Sequence, residues 1–275
     1  MRNANPVPQS PPVSSSIVSD AAKRRQPRLT PVGVVYGVYV WLEFALIGVL
    51  ALLPLLLLPS LARRRALVHV LARLILRLAG IRLESQGLST IPRPCVLIAN
   101  HSSYIDGVVL AAALSGSFTF VIKHEMAHMP LAGTLLRRIG AEFIERRDRQ
   151  RSANSARRLL RQASGGQALV FFPEGTFSLQ PGLLPFHGGA FTAAARAGLP
   201  LVPVAIRGTR DRLPPGSFWP HPGRVSVQAL PALTLDSDLA PPQRAAALRA
   251  AARAKLLAVL GEPDLAPAAI EEASA

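Results

Sequence analysis

Two short apolar runs, each ending abruptly in polar residues, restrict this chain more than any other feature. Cys95 to Ala99 is followed at once by Asn100 and His101, and Ala168 to Phe172 by Pro173-Glu174-Gly175-Thr176. Each reads as a buried strand that breaks into a tight, polar turn. Further strand candidates are Phe118–Ile122, Ala141–Ile144, Leu201–Ile206 and Arg224–Leu230. Between them lie segments with helical spacing: Ser103–Leu114, Leu131–Ile139, Arg151–Ala163, Gly189–Ala197 and Pro242–Leu260. Strands joined through helices predict an α/β domain with a mixed, largely parallel sheet covered by helices on both faces. There is no internal repeat.

The first eighty residues follow different rules. Residues 1–31 are rich in Pro, Ser, Asn and basic residues and lack periodicity, which predicts a disordered tail. Val32 to Pro59 is almost wholly apolar, with Glu43 its only charge. About 20 apolar residues span a bilayer as a helix, so this run is long enough. It starts too late, is too long and lacks the small-residue cleavage site of a signal peptide. Pro54 is expected to end or kink the helix. After Arg63-Arg64-Arg65, residues Leu67, Val70, Leu71, Leu74, Ile75 and Leu78 recur at helical spacing, so Ala66 to Leu83 reads as an amphipathic helix. Basic residues flank the apolar run on both sides, and charge gives a single span no orientation. A hairpin dipping into one leaflet with both ends cytoplasmic removes that conflict. A true span and a buried core hairpin are the alternatives. The expected organisation is a tail (1–31), membrane-anchoring helices (32–82), a catalytic α/β domain (83–260) and a flexible tail (261–275).

The 275 residues carry a net charge of +15, and of 31 basic residues only Lys23, Lys123 and Lys255 are lysine. Hydrophobic residues make up 49%, and mean hydropathy is +0.29, so apolar material exceeds what one core needs. The charge suits anionic lipid headgroups, each nearby basic residue being worth about 1 kcal/mol. A nucleic-acid partner is not expected: aromatics are 5%, and no recognised binding module appears. The single cysteine, Cys95, allows no internal disulfide and fits a reducing compartment.

Chemistry gathers at the strand ends. His101 and Asp106, just after Cys95–Ala99, are the parts of a general base and its orienting carboxylate. The plain structural alternative makes Ser103 the N-cap of the next helix and Asp106 a first-turn residue favoured by its dipole. Four segments taken in order resemble the motifs of the glycerolipid acyltransferases, the lysophosphatidate acyltransferase-like family. They are His101-x-x-x-x-Asp106, Gly140-Ala141-Glu142-Phe143-Ile144-Glu145-Arg146, Phe172-Pro173-Glu174-Gly175-Thr176 and Val202-Pro203-Val204-Ala205-Ile206. The resemblance covers roughly Leu83 to Leu230.

It implies a membrane acyltransferase that moves a fatty acyl chain from acyl-CoA or acyl-carrier protein to a lysophospholipid hydroxyl. Acylation of 1-acylglycerol-3-phosphate to phosphatidic acid is the leading expectation, at the inner cell membrane with the site facing the cytoplasm. His101 would be the base and Asp106 its partner. Lys123 and Arg146 would meet anionic groups, and Glu174, Gly175 and Thr176 would frame the acceptor site. Partners are membrane lipids and the acyl thioester; no metal or cofactor beyond the donor is implied. One departure matters. The family's third motif continues with arginine, but here that position is Phe177. An arginine makes bidentate contacts to phosphate and a phenylalanine makes none. The contact would then move to Lys123, Arg146, Arg147, His187 or Arg207, or the acceptor would be another lysolipid. His124-Glu125-Met126-Ala127-His128 also satisfies the zinc-peptidase pattern H-E-x-x-H. Pro130 leaves room for only one or two helical turns, and no downstream half of that pattern follows. This segment is read as a chance match; a zinc hydrolase built on His124 and His128 and a non-catalytic membrane-surface protein that kept the fold are the two competing classes. G-x-S-x-G is absent, which argues against a serine esterase.

Overall fold

The computed structural model describes residues 30–115, 118–145, 149–165, 167–234 and 239–266. Within these, the apolar runs lie side by side in one sheet. The strands are β1 (Ile81–Gln86), β2 (Val96–Ala99), β3 (Phe118–Lys123), β4 (Glu142–Ile144), β5 (Ala168–Phe171), β6 (Leu201–Arg207) and β7 (Gly223–Ala229). Their order is β1-β7-β6-β2-β5-β3-β4. Every neighbouring pair is parallel except β6 with β7, which gives the mixed, largely parallel sheet that the sequence predicts. β2 sits between β5 and β6, with Ile98 level with Phe171 and with Pro203. The carboxyl ends of these three strands therefore open on one edge, the usual place for a ligand crevice in such sheets.

Burial on both faces explains why these strands are continuously apolar. Leu97, Ala99, Val170, Val202 and Val204 point into one core. It is closed by α2 (Leu61–Leu78) and α3 (Asp106–Ala113). Val96, Ile98, Leu169, Phe171 and Leu201 point into the other, closed by α5 (Arg149–Ser164), α6 (Gly189–Ala197) and α8 (Pro241–Leu260). Each fully buried Leu or Ile here contributes about 1.5–3 kcal/mol relative to exposure.

The N-terminal segment is a helical hairpin. α1 (Pro31–Leu57) starts with Pro31 behind Thr30, whose hydroxyl accepts from the Gly33 N–H at 3.1 Å. It runs through Pro54 rather than ending there. One stripe, Gly37, Val40, Glu43, Ile47, Ala51 and Leu55, packs inward, Val34, Tyr36 and Leu52 are half-buried, and most of the remaining apolar side chains are exposed. The helix is long and apolar enough to cross a membrane. Its last carbonyls are capped by arginines. Arg138, the last residue of α4 (Ala132–Arg138), donates to Leu55 O at 3.0 Å and to Leu56 O; Arg64 donates to Leu58 O at 2.7 Å, Pro59 O at 2.9 Å and Arg138 O at 3.1 Å. Arg65 donates to Ile139 O at 3.0 Å and Thr119 Oγ1 at 2.8 Å. Two of the three arginines after the apolar run thus hold the hairpin to the domain.

Two boundaries differ from the sequence reading. α2 stops at Leu78, because Gly80 takes a left-handed conformation (φ +61°) and turns the chain into β1. Ile81 and Arg82 are strand, paired with Gly223 and Arg224, rather than the end of a membrane helix. Of the expected α2 stripe, Val70, Leu74 and Leu78 face outward, while Ala72 and Leu76 make the packing. At the other end, the expected tail is fastened as far as residue 266. Glu262 accepts from the Gly182 N–H at 3.0 Å, Leu183 N donates to Pro263 O at 2.9 Å, and Leu265 N donates to Leu183 O at 3.0 Å. The proposed tail over 1–31 lies outside the described residues up to position 29.

Asn100 extends the sheet by one residue through its side chain. Its Nδ2 donates to Ile206 O at 2.9 Å, and its Oδ1 accepts from Ile206 N at 2.7 Å, all buried. Asn100→Leu would leave both Ile206 groups unpaired, at a cost of about 2–4 kcal/mol. Thermal and denaturant unfolding in detergent reads this. A loss below about 0.5 kcal/mol would mean the pairing carries little.

Candidate active site

The edge where β2, β5 and β6 end carries the polar turns. His101 follows β2 directly, and the next helix begins at Asp106, three residues later than Ser103. Ser103 is not its cap: the Ser103 hydroxyl donates to Leu213 O at 2.7 Å. Asp106 itself reaches back. Its Oδ2 accepts from Ser102 N at 2.7 Å, Ser103 N at 2.9 Å and His101 Nδ1 at 2.8 Å. The carboxyl is fully buried at the N-terminus of α3, where the backbone favours a negative charge. A carboxylate on Nδ1 fixes the proton there and leaves the Nε2 lone pair outward, where it has no partner among the described residues. The imidazole is 19% exposed. It stacks on Phe172, ring centroids 4.3 Å apart, and meets the edge of Phe177 at 4.7 Å. A histidine so held can take a proton from a hydroxyl that enters from the open side.

The turn after β5 supports the same residue from behind. Glu174 is buried; its Oε1 accepts from His101 N at 2.6 Å and its Oε2 from Leu184 N at 2.8 Å. Gly175 makes the turn possible with φ +68°, donating to Phe172 O at 3.1 Å. Thr176 is exposed at the mouth. Burial pushes the Glu174 carboxyl up to about 7, against the two N–H groups that favour its ionised form; the charge of Asp106 adds to the rise.

His101, Asp106, Glu174, Gly175 and Thr176 therefore come together. Lys123 ends β3 on the same sheet edge, since Phe120 is level with Val170, and its side chain is exposed. Arg146 and Arg147 lie outside the described residues. Arg207 is committed elsewhere, donating to Gln228 Oε1 at 3.2 Å and to Val259 O. His124 and His128 face each other on a short 3-10 turn, Nε2 to Nε2 3.4 Å. Among the described residues, no group of three His, Cys, Asp or Glu side chains could hold one ion, so the pair finds no third zinc ligand among them.

Sequence reading missed a third support. After β6 the chain forms a short helix, α7 (Thr209–Arg212). Thr209 Oγ1 and Ser102 Oγ share a buried hydrogen bond of 3.0 Å, and Arg210 Nη1 donates to Ser178 O at 2.6 Å. α7 thus ties the His101 turn to the Glu174 turn. The only sequence signal was a Gly-Thr pair following the buried run that ends at Ile206.

Glu174 sets a pH dependence of stability. An ordinary glutamate titrates near 4.5, and in the folded chain this one does so at about 7. Between those values the unfolded chain ionises while the folded chain keeps the proton. Stability therefore falls as pH rises through this window, by about 3 kcal/mol, and is flat above it. Glu174→Gln titrates nothing, so wild type should lose that much relative to the variant between pH 4.5 and 7. A constant difference across the range would contradict the assignment.

Residues 82–207 match the family described as Acyltransferase. A chloroplastic 1-acyl-sn-glycerol-3-phosphate acyltransferase of Brassica napus is 32% identical over 160 residues, 56% of this chain and 46% of that protein. A lyso-ornithine lipid O-acyltransferase of Pseudomonas aeruginosa is 38% identical over 153 residues, 55% of this chain and 57% of that one. The chain spans about half the length of these curated relatives. The crystal structure of the 1-acyl-sn-glycerophosphate acyltransferase PlsC from Thermotoga maritima shares the fold. It aligns with a TM-score of 0.61 at 19% identity, over 81% of this chain and 95% of that one.

Proposed function

We propose that this chain, whose residues 82–207 form a domain of the acyltransferase family, moves a fatty acyl chain from an acyl thioester to the hydroxyl of a lysolipid. The observation that carries this reading is the 2.8 Å contact between His101 Nδ1 and the buried Asp106 carboxylate, which leaves Nε2 turned to the opening. His101 Nε2 removes the proton from the acceptor hydroxyl as its oxygen attacks the thioester carbonyl. Asp106 stabilises the imidazolium that results. The tetrahedral species collapses, the carbon–sulfur bond breaks, and the thiolate takes the proton from His101. No acyl-enzyme is required. Glu174, Gly175 and Thr176 frame the acceptor, and Lys123 and Arg146 supply positive charge for anionic groups of acceptor or donor.

1-Acylglycerol-3-phosphate is the acceptor this reading favours, giving phosphatidic acid, with acyl-CoA or acyl-carrier protein as donor. The relatives named for that substrate support it. A second reading rests on Phe177. Its ring occupies the wall beside His101 where an arginine would bind phosphate. This favours a lysolipid with no phosphate beside the reacting hydroxyl, as in the relatives named for lyso-ornithine lipid. In both readings, α1 and the outward apolar residues of α2 seat the chain in one leaflet, with the site on the cytoplasmic face of the cell membrane.

The test is turnover of labelled acyl thioester with lysophosphatidate, lyso-ornithine lipid and a monoacylglycerol. His101→Ala should lower turnover about 10²–10⁴-fold on every acceptor used, with the fold intact. Survival of activity within a few-fold would remove His101 from the mechanism. Preference for lysophosphatidate supports the first acceptor and preference for the ornithine lipid the second. Phe177→Arg should shift use toward the phosphate-bearing acceptor.

A further inference from the structure

A short series of contacts and chain links joins α1 to His101. Trp41 on α1 donates its indole N–H to Phe218 O at 2.6 Å. Gly37, one turn earlier, lies so close to Trp219 that a Cβ there would sit 2.6 Å from the indole. Gly216, in the same loop, approaches Leu179, whose Cδ2 is 3.2 Å from where a Gly216 Cβ would be. Leu179 follows Phe177 by two residues, and Phe177 packs edge-on against both His101 and Tyr104, each at 4.7 Å. Along this line large apolar side chains stand in the open: Trp41 is 39% exposed, Phe218 75%, Leu179 69% and Tyr104 59%. Singly such residues need no explanation; four carried on segments that touch one another, beginning at the exposed apolar surface of α1, form a patch that does.

From this arrangement we infer that Phe218 and Leu179 form a second membrane-inserting element, which with Trp41 and Tyr104 makes a collar that sinks the mouth of the active site into the bilayer interface. The occupant is the lipid surface, because the patch continues the apolar face of α1 and the Trp41 indole fixes the loop beside it. Aromatic rings with one polar edge favour the headgroup level, where Trp41 and Tyr104 would lie. A lysolipid could then slide to His101 Nε2 without its acyl chain crossing water. The inference rests on the acyltransferase reading above and names how that site meets its substrate.

Two measurements test it on the full chain. Cys95 is fully buried, so one introduced cysteine can be labelled selectively. Phe218→Cys and Leu179→Cys, carrying an environment-sensitive fluorophore, are mixed with phosphatidylethanolamine–phosphatidylglycerol vesicles; Glu84→Cys, on the exposed edge strand, is the control. The labels at 218 and 179 should move to an apolar environment and the control should not. Labels that stay in water on vesicle-bound protein overturn the collar. Labels already shielded without vesicles, in a concentration-dependent way, assign the patch to a second copy and overturn it too.

The second measurement uses the Leu179→Ser/Phe218→Ser protein in vesicles. KM for a long-chain acceptor held in the same membrane should rise at least tenfold, since a tenfold change is only about 1.4 kcal/mol and two apolar side chains that lose their contact with lipid exceed it. A short-chain acceptor dissolved in water should be used as by wild type. Equal losses on both acceptors, or none, contradict the inference. A wild type inactive on both defeats the acyltransferase reading instead, while the fluorophores still report on insertion.

Discussion

One carboxylate oxygen organises the reactive end of this molecule. Asp106 Oδ2 accepts three hydrogen bonds, two from backbone and one from His101, within a fully buried turn. Its other oxygen, Oδ1, is buried with no hydrogen-bond partner among the described residues, so these three bonds carry all the pairing that the carboxylate has there. The pairing dictates the path of residues 101–106, because Ser102 and Ser103 must turn their N–H groups toward the first residue of α3. It also dictates which imidazole nitrogen keeps its proton. Local structure and chemistry are here the same set of bonds.

The surrounding scaffold explains why the turn stays in place. Asn100 holds it to β6, Glu174 to the β5 turn and the 182–184 loop, and Thr209 to α7. Each tether reaches a different segment of the chain. The C-terminal strap at 262–265 then fixes the 182–184 loop from outside. The N-terminal hairpin reaches the same edge through Trp41 and the 216–219 loop. The apolar hairpin and the His101 turn are thus tied into one piece of structure rather than two separate modules.

Much of this was legible in the sequence, for identifiable reasons. The buried strands announce themselves because both faces are covered, and so every residue from Val96 to Ala99 is apolar. His101, Asp106 and Glu174 stand out because polar residues that directly follow such runs fall on the sheet edge. β1 was hidden: at the sheet margin its residues are mostly exposed, and its pattern merges with the helix before it. The arginines after the apolar run read only as charges flanking it, since a sequence does not reveal that Arg64 and Arg65 reach backbone carbonyls. Phe177 was visible as a departure, but its ring contact with His101 needed the fold. Ser102 meets Thr209 across 107 residues, His101 meets Glu174 across 73 and Arg210 meets Ser178 across 32, and no local pattern encodes such pairs.

The central claim is that Asp106 holds the proton on His101 Nδ1 and frees Nε2 as the base. The most direct measurement is the nitrogen chemical shifts of His101 in protein labelled on its six histidines, assigned by comparison with His101→Ala. In the neutral imidazole the account requires a protonated Nδ1 and a bare Nε2, and Asp106→Asn should disturb this pattern. A neutral His101 carrying its proton on Nε2, unchanged by Asp106→Asn, would contradict it.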